Sequence, residues 1–440
     1  MGLVAVAVVA HGLFGPQVGP RNLATVLTSI HWRGLLILAI VAAGNLFCTA
    51  CPMVLARDAG RRFISPRLTW PRRLRGKWIG VALLVAILFS YELFDLWGQP
   101  RATAWVVLGY FAAALLVDLV FTGASFCKHV CPIGQFNFLA STLSPTTLQV
   151  REAATCATCR TADCLKGRTG QRGCELGLFL PAKVGNLDCT MCFDCVLACP
   201  YDNIGLVTVV PGDEWLVPGR RSSVGRLSRR RDIAALALVF VFGALLNAFA
   251  MTAPAARTEQ WLAGTLGLRA EAPVLAMLFV AGLVLLPAVL VGTTAACTRY
   301  LTGDRRPVVT HAMPFVYALI PFGLGVWLAH YGFHLLTGAL TIVPVTQSAA
   351  IDLLGRAALG EPAWNWSGLR SGAVFPVQLG FILLGTAGAF ALTNAMARRD
   401  YPSAHWRAAA PWLTLGMVLA VAAVWILAQP MEMRGLAGAG

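Results

Sequence analysis

The chain has 440 residues, of which 57% are hydrophobic and only 12% charged, and its formal net charge is +15. A soluble domain of this length needs more charge to cover its surface, so the composition selects a polytopic membrane protein. The positive balance raises nucleic acid as a partner, but the arginines sit in loops between apolar runs, the distribution of positive-inside topology, and no nucleic-acid partner is expected.

In chain order, residues 2–15 (GLVAVAVVAHGLFG) are apolar but short, and fit a thin span, an interfacial segment or part of a leader. They lack a basic start and a small-residue cleavage site, which argues against a cleaved signal peptide. Runs long enough to cross ~30 Å of hydrocarbon follow near 34–55, 77–97, 104–124, 232–252, 272–293, 311–335, 373–394 and 411–429. The expected fold is therefore an all-α polytopic membrane protein of eight or nine transmembrane helices, carrying a small inserted α+β domain.

The loop after the first run holds Arg57, Arg61, Arg62, Arg67, Arg72, Arg73, Arg75 and Lys77 against the single acid Asp58. Arg220, Arg221, Arg226, Arg229, Arg230 and Arg231 precede the 232–252 run, and Arg299, Arg305, Arg306, Arg398, Arg399 and Arg407 fall on the same side. The intervening loops, near 98–103, 253–271 and 336–372, carry few or balanced charges. The arginine-rich side is expected to be the cytoplasm, and the membrane a bacterial inner membrane. Four segments follow: a membrane domain over 1–144, a cysteine-rich cytoplasmic insert over 145–210, a basic linker over 211–231 and a second membrane domain over 232–440.

Eight of the thirteen cysteines lie between Cys156 and Cys199. Disulfide scaffolds of such density are short secreted chains without membrane spans, so the spacing reads as metal ligation in a reducing compartment. Residues 189–200, CTMCFDCVLACP, read C-x2-C-x2-C-x3-C-P. Zinc also accepts C-x2-C pairs but does not require the fourth cysteine and its proline, so the run selects a [4Fe–4S] cluster. Cys156, Cys159, Cys164 and Cys174 precede it with a less regular C-x2-C-x4-C start, and the total closes at eight thiols for two clusters. A single cluster with spare thiols is the competing reading of this first set.

Two apolar runs end alike, in GNLFCTACPMVL with Cys48 and Cys51 before Pro52, and in GASFCKHVCPIGQF with Cys127 and Cys131 before Pro132. This weak internal repeat suggests helices broken by proline just after the second cysteine. The run over 189–200 resembles bacterial ferredoxins. That resemblance implies a crossed ligation, with Cys189, Cys192, Cys195 and Cys174 on one cluster and Cys156, Cys159, Cys164 and Cys199 on the other. Together with the Cys-Pro motifs it resembles the membrane polyferredoxin family, iron–sulfur membrane proteins that serve nitrate and nitrous oxide respiration, over roughly residues 34–205. Here the first motif is C-x2-C-P rather than the usual C-x3-C-P, no flavin-attachment domain is evident, and the helices after 232 have no counterpart in the shorter members.

Three readings of Cys48, Cys51, Cys127 and Cys131 stand side by side: a further metal or iron–sulfur centre, a redox-active thiol set, or buried structural cysteines. His129 reads as a polar residue at a helix end. His330 and His334 lie one turn apart near the outer end of the 311–335 run and fit a quinone site, a haem for which His11 or His31 supplies a second ligand, or interfacial histidines without a redox role. His311 and His405 are expected to be solvated or lipid-facing, Cys297 to sit alone in a loop, and Trp364 and Trp366 to anchor an interface.

The expected function is membrane electron transfer between the quinone pool, or a membrane partner, and a redox partner protein or respiratory complex subunits, either as a relay or as a quinol-linked oxidoreductase subunit. A metal-reducing or assembly factor for a respiratory enzyme is the first alternative. A transporter is the second, weakened by the lack of an evident broken-helix repeat.

Overall fold

The computed structural model describes residues 1–431 and is mainly helical. Among the described residues six helices are long and apolar enough to cross a membrane: Leu23–Ala43, Pro100–Val120, Arg231–Ala250, Glu271–Thr302, Ser371–Asp400 and His405–Leu427. A seventh span is added if the pair Val308–Ala318 and Ile320–Thr337, bent by 41° at its break, counts as one. This corrects the expected eight or nine. The run at 77–97 yields a helix of only 16 residues, Trp78–Leu93, about 24 Å long at 1.5 Å per residue and short of the hydrocarbon thickness. Residues 2–15 form the 13-residue helix Gly2–Phe14.

The chain divides into two compact units. The first comprises Met1–Ile37, Val85–Tyr110 and the chain from Leu238 onward. Its core holds Phe240, Phe315, Phe322, Trp327 and Trp412, all fully buried. Helices Ile320–Thr337 and Ser371–Asp400 cross on glycine: a Cβ on Gly325 would lie 2.5 Å from the Phe381 carbonyl oxygen, and one on Gly385 would lie 2.6 Å from that of Pro321. Small residues permit such close helix approach in an apolar medium. Trp327 donates its indole N–H to the Phe240 carbonyl at 2.8 Å, so this large core side chain buries no unpaired donor.

The second unit comprises Leu38–Leu84 and Phe111–Ala237. The first long helix ends at Ala43, not near 55, because Gly44 takes a left-handed φ of +71°. A 3₁₀ turn, Asn45–Thr49, follows, and Pro52 opens the helix Pro52–Gly60. The second motif repeats the plan, with a π turn over Phe126–Val130 and the helix Pro132–Ala140. In both, the second cysteine (Cys51, Cys131) is the extended residue that caps the next helix. The prolines thus start helices rather than break them, as their fixed φ and missing N–H suit the first helical position.

The cysteine-rich insert is flanked by the strands β1 (Thr146–Val150) and β2 (Ile204–Thr208), antiparallel in register from Thr146 opposite Thr208 to Val150 opposite Ile204. Between them lie the short helices Ala153–Thr158, Asp163–Lys166 and Asp194–Ala198.

Candidate functional site

The insert's cysteines lie on loops whose backbone turns sharply around them. Ala162 (φ 53°) precedes Asp163-Cys164, and Phe193 (φ 64°) precedes Asp194-Cys195, each opening a short helix. The two cysteine sets therefore share one stub, a left-handed residue followed by Asp-Cys. The two extra residues of the first set fall between Cys159 and that stub, which accounts for its irregular spacing.

The thiols segregate into groups. Burial first, then the neighbouring Cys189, Cys174 and Cys192, pushes the Cys195 thiol well above its ordinary range. Burial also raises Cys192, to about 12. Cys164 is raised by burial and then by Cys156, Cys199 and Cys159. Those same four, with Pro200 and Asn203, line one cavity. The structure thus brings Cys156, Cys159, Cys164 and Cys199 together around one cavity, while Cys174, Cys189 and Cys192 lie near enough to Cys195 to raise its thiol.

A third group gathers at the Cys-Pro motifs. Burial, followed by Cys131 and Cys51, raises the Cys48 thiol, and burial, Cys131, Asp118, Cys48 and Cys51 raise that of Cys127. Polar hydrogens are aimed at several of these sulfurs: Gly134 N–H donates to Cys131 Sγ at 3.0 Å, Leu178 N–H to Cys174 Sγ at 3.4 Å, and Asn203 to Cys199 Sγ from its backbone (3.5 Å) and to Cys156 Sγ from its amide (3.4 Å). Such bonds favour the thiolate, the form that ligates metal.

The third group is tied to the first. Asn45 donates from its side chain to the Cys189 carbonyl at 3.1 Å and from its backbone to Met191 Sδ at 3.2 Å, and Thr49 donates to the Met191 carbonyl at 3.1 Å. Glu175, beside Cys174, is held by Arg57 at 3.0 Å and Arg61 at 2.8 Å. Lys77 pairs with Asp188, next to Cys189, at 2.5 Å with both side chains buried. Lys128 donates to the Leu176 carbonyl and to Ser223. His129 is buried and stacked on Trp70 at 5.2 Å, and burial, with Lys77 and Lys128 nearby, lowers it to about 3.

Among the described residues no three His, Cys, Asp or Glu side chains converge closely enough to hold a single metal ion. The fit to iron–sulfur chemistry rests instead on the donor set: eight thiols in one insert, four of them lining a cavity.

Compared with curated proteins, the chain is 27% identical over 189 residues to the ferredoxin-type protein NapH of Escherichia coli (strain K12). The likeness is to an iron–sulfur protein. It covers 39% of this chain and 65% of that relative's own length, just under two thirds. No family model matches the chain, and no solved structure matches it. With the cysteine content and the apolar helices, the likeness supports a multi-pass membrane protein with ferredoxin-type electron-transfer chemistry.

The first unit holds the predicted histidines. His330 and His334 stand 5.0 Å apart, ring to ring, and the Nε2 atom of each is buried without a hydrogen-bond partner. Sequence reasoning missed what surrounds them. Arg33, inside the Leu23–Ala43 span, lies 3.9 Å over the Tyr91 ring and 5.5 Å over that of Tyr331. The buried Glu92 accepts from Asn247 at 3.1 Å. Beginning that span at residue 34 left Arg33 outside it; an arginine inside an apolar run was the available signal.

His11 and His31 do not supply a second haem ligand, because their ring nitrogens are engaged. His11 receives the Leu23 N–H at Nδ1 and bonds Asp352 at 2.9 Å through Nε2, while His31 contacts the Val26 and Ala339 carbonyls at 3.2 Å each. His311 is not solvated: it is fully buried and bonds the Tyr401 hydroxyl at 2.6 Å. His405 is half-buried beside Trp406. Cys297 is exposed on the helix Leu286–Thr302 rather than in a loop. Trp364 and Trp366 are exposed, with Arg21 5.2 Å over the Trp364 ring.

Proposed function

We propose that the chain is a membrane electron-transfer protein of the bacterial inner membrane, its insert on the cytoplasmic side. It takes electrons from quinol or a membrane partner and passes them to a redox partner protein or respiratory complex subunit. The observation that carries this reading is the set of four insert thiols, Cys156, Cys159, Cys164 and Cys199, that line one cavity beside the ferredoxin-like run of Cys189, Cys192 and Cys195. When bound, two [4Fe–4S] clusters would supply one-electron transfer.

The protein's own groups set the conditions. Cys174, Cys189, Cys192 and Cys195 would hold one cluster, within reach of the positive charges of Lys128 and Lys183. Cys156, Cys159, Cys164 and Cys199 would hold the other, with Asn203 donating to two of its sulfurs. Such donors and charges stabilise the more negative, reduced state. Cys48, Cys51, Cys127 and Cys131 would hold a further centre. In the first unit, the unpartnered Nε2 atoms of His330 and His334 would bond the hydroxyls of a quinol headgroup and accept its protons, with Tyr331 5.5 Å from His330, ring to ring.

The test is iron and sulfide quantitation with low-temperature EPR on anaerobically purified protein, reduced by dithionite or by a quinol. About eight irons and eight sulfides per chain, with coupled signals, are expected, and iron beyond that if the third group is loaded. Quinol reduction should fail in His330→Leu/His334→Leu while dithionite reduction survives. Zinc in place of iron in a folded sample refutes the electron-transfer reading. Dithionite-reducible clusters with no response to any quinol refute only the quinol half.

A further inference from the structure

The linker ahead of the Arg231–Ala250 span carries six arginines between residues 220 and 231, and the structure divides them by role. Arg221 is buried and turned inward, paired with Glu214 at 3.2 Å. Its backbone exchanges hydrogen bonds with Gly225 (3.0 and 2.9 Å), closing a tight turn in which Gly225 adopts a φ of 87°. Arg230 pairs with Asp232 at 2.7 Å and donates to the Val224 carbonyl. With the backbone pinned at both ends, Arg220, Arg226, Arg229 and Arg230 line a single open cavity.

Arg220, Arg226 and Arg229 are exposed, and among the described residues no carboxylate lies within ion-pair distance of them. The one acid at this point, Asp232, is already shared between Arg230 and the Lys77 backbone N–H. Arginines that serve only to orient a membrane protein need not converge. Here four arginines and no acid line one space, next to the start of a membrane span, and only Arg230 among them is paired with a carboxylate. Guanidinium forks match phosphate oxygens in pairs, and anionic headgroups lie at the depth where a span begins.

We propose that this cavity binds the phosphodiester of an anionic phospholipid headgroup. Neither the cysteine groups nor the histidine cluster takes part, so the proposal stands apart from the electron-transfer reading.

The test uses the full-length protein released from nanodiscs of phosphatidylglycerol, cardiolipin or phosphatidylcholine, with retained lipid read by native mass spectrometry. A second arm titrates inorganic phosphate alone. The wild type is expected to keep the two anionic lipids over phosphatidylcholine, and Arg226→Gln/Arg229→Gln to lower that retention by about tenfold or more. Arg305→Gln/Arg398→Gln, which removes equal charge elsewhere, should leave it unchanged. Equal losses in the two double variants would overturn the site. So would retention indifferent to headgroup charge, or phosphate binding without lipid retention. Cluster signals in each variant report folding separately.

Discussion

Lys77→Met tests how the cysteine loop is held. Lys77 and Asp188 are both about 2% exposed, and the Lys77 ammonium also donates to the Lys128 carbonyl at 2.9 Å. That carbonyl keeps a second donor, Gln135 at 3.1 Å, so the loss falls on Asp188, left as a buried carboxylate without its partner. Removing one member of a buried pair costs about 3–5 kcal/mol. Lys128 still acts on Asp188 at longer range, which places the expected loss near the lower end, about 3 kcal/mol. Adding Asp188→Asn removes the stranded charge and keeps a residue type that tolerates the φ of 64° at this position. The double variant should therefore regain about half of the loss or more. The measurement is denaturant unfolding of the anaerobic protein in detergent, followed by tryptophan fluorescence and by iron release. A single variant within about 1 kcal/mol of wild type, or a double variant weaker than the single, would refute the reasoning.

Serine substitutions should sort by group. Cys174→Ser and Cys195→Ser are expected to perturb the same EPR signal, and Cys164→Ser and Cys199→Ser the other, while mixed patterns would refute the crossed assignment. Cys48→Ser/Cys131→Ser should lower total iron while both insert signals persist; unchanged iron per chain would leave the Cys-Pro thiols without a centre. Gly44→Ala should lower the thermal midpoint, costing about 1–3 kcal/mol because the φ of 71° and ψ of −154° there suit almost only glycine. Its Cβ would also meet Met191 Sδ at 2.5 Å, so an unchanged midpoint would refute the packing described at this turn.

The run from Cys189 to Pro200 was legible in the sequence because cluster-type cysteines recur at short, fixed intervals, whereas the division of the eight thiols into two sets came only from the resemblance to ferredoxins. The span ends were less legible. Apolarity continues past Gly44, and hydropathy does not register the left-handed backbone that ends the helix there. Burial of His311 depends on Tyr401, ninety residues away, and no local pattern carries that information. Arg33 escaped notice for a related reason: the aromatic faces that accept it, Tyr91 and Tyr331, come from distant helices.

The bonds from Asn45 to Cys189 and Met191 join segments more than 140 residues apart. Because a chain is made from its N-terminus, Cys48 and Cys51 exist well before the loop that covers them, and closure of that loop waits on synthesis of the insert. Until then the first thiol pair depends on its compartment for protection from oxidation. Maturation of this protein is thus ordered by its own sequence, with the earliest cysteines among the last to be enclosed.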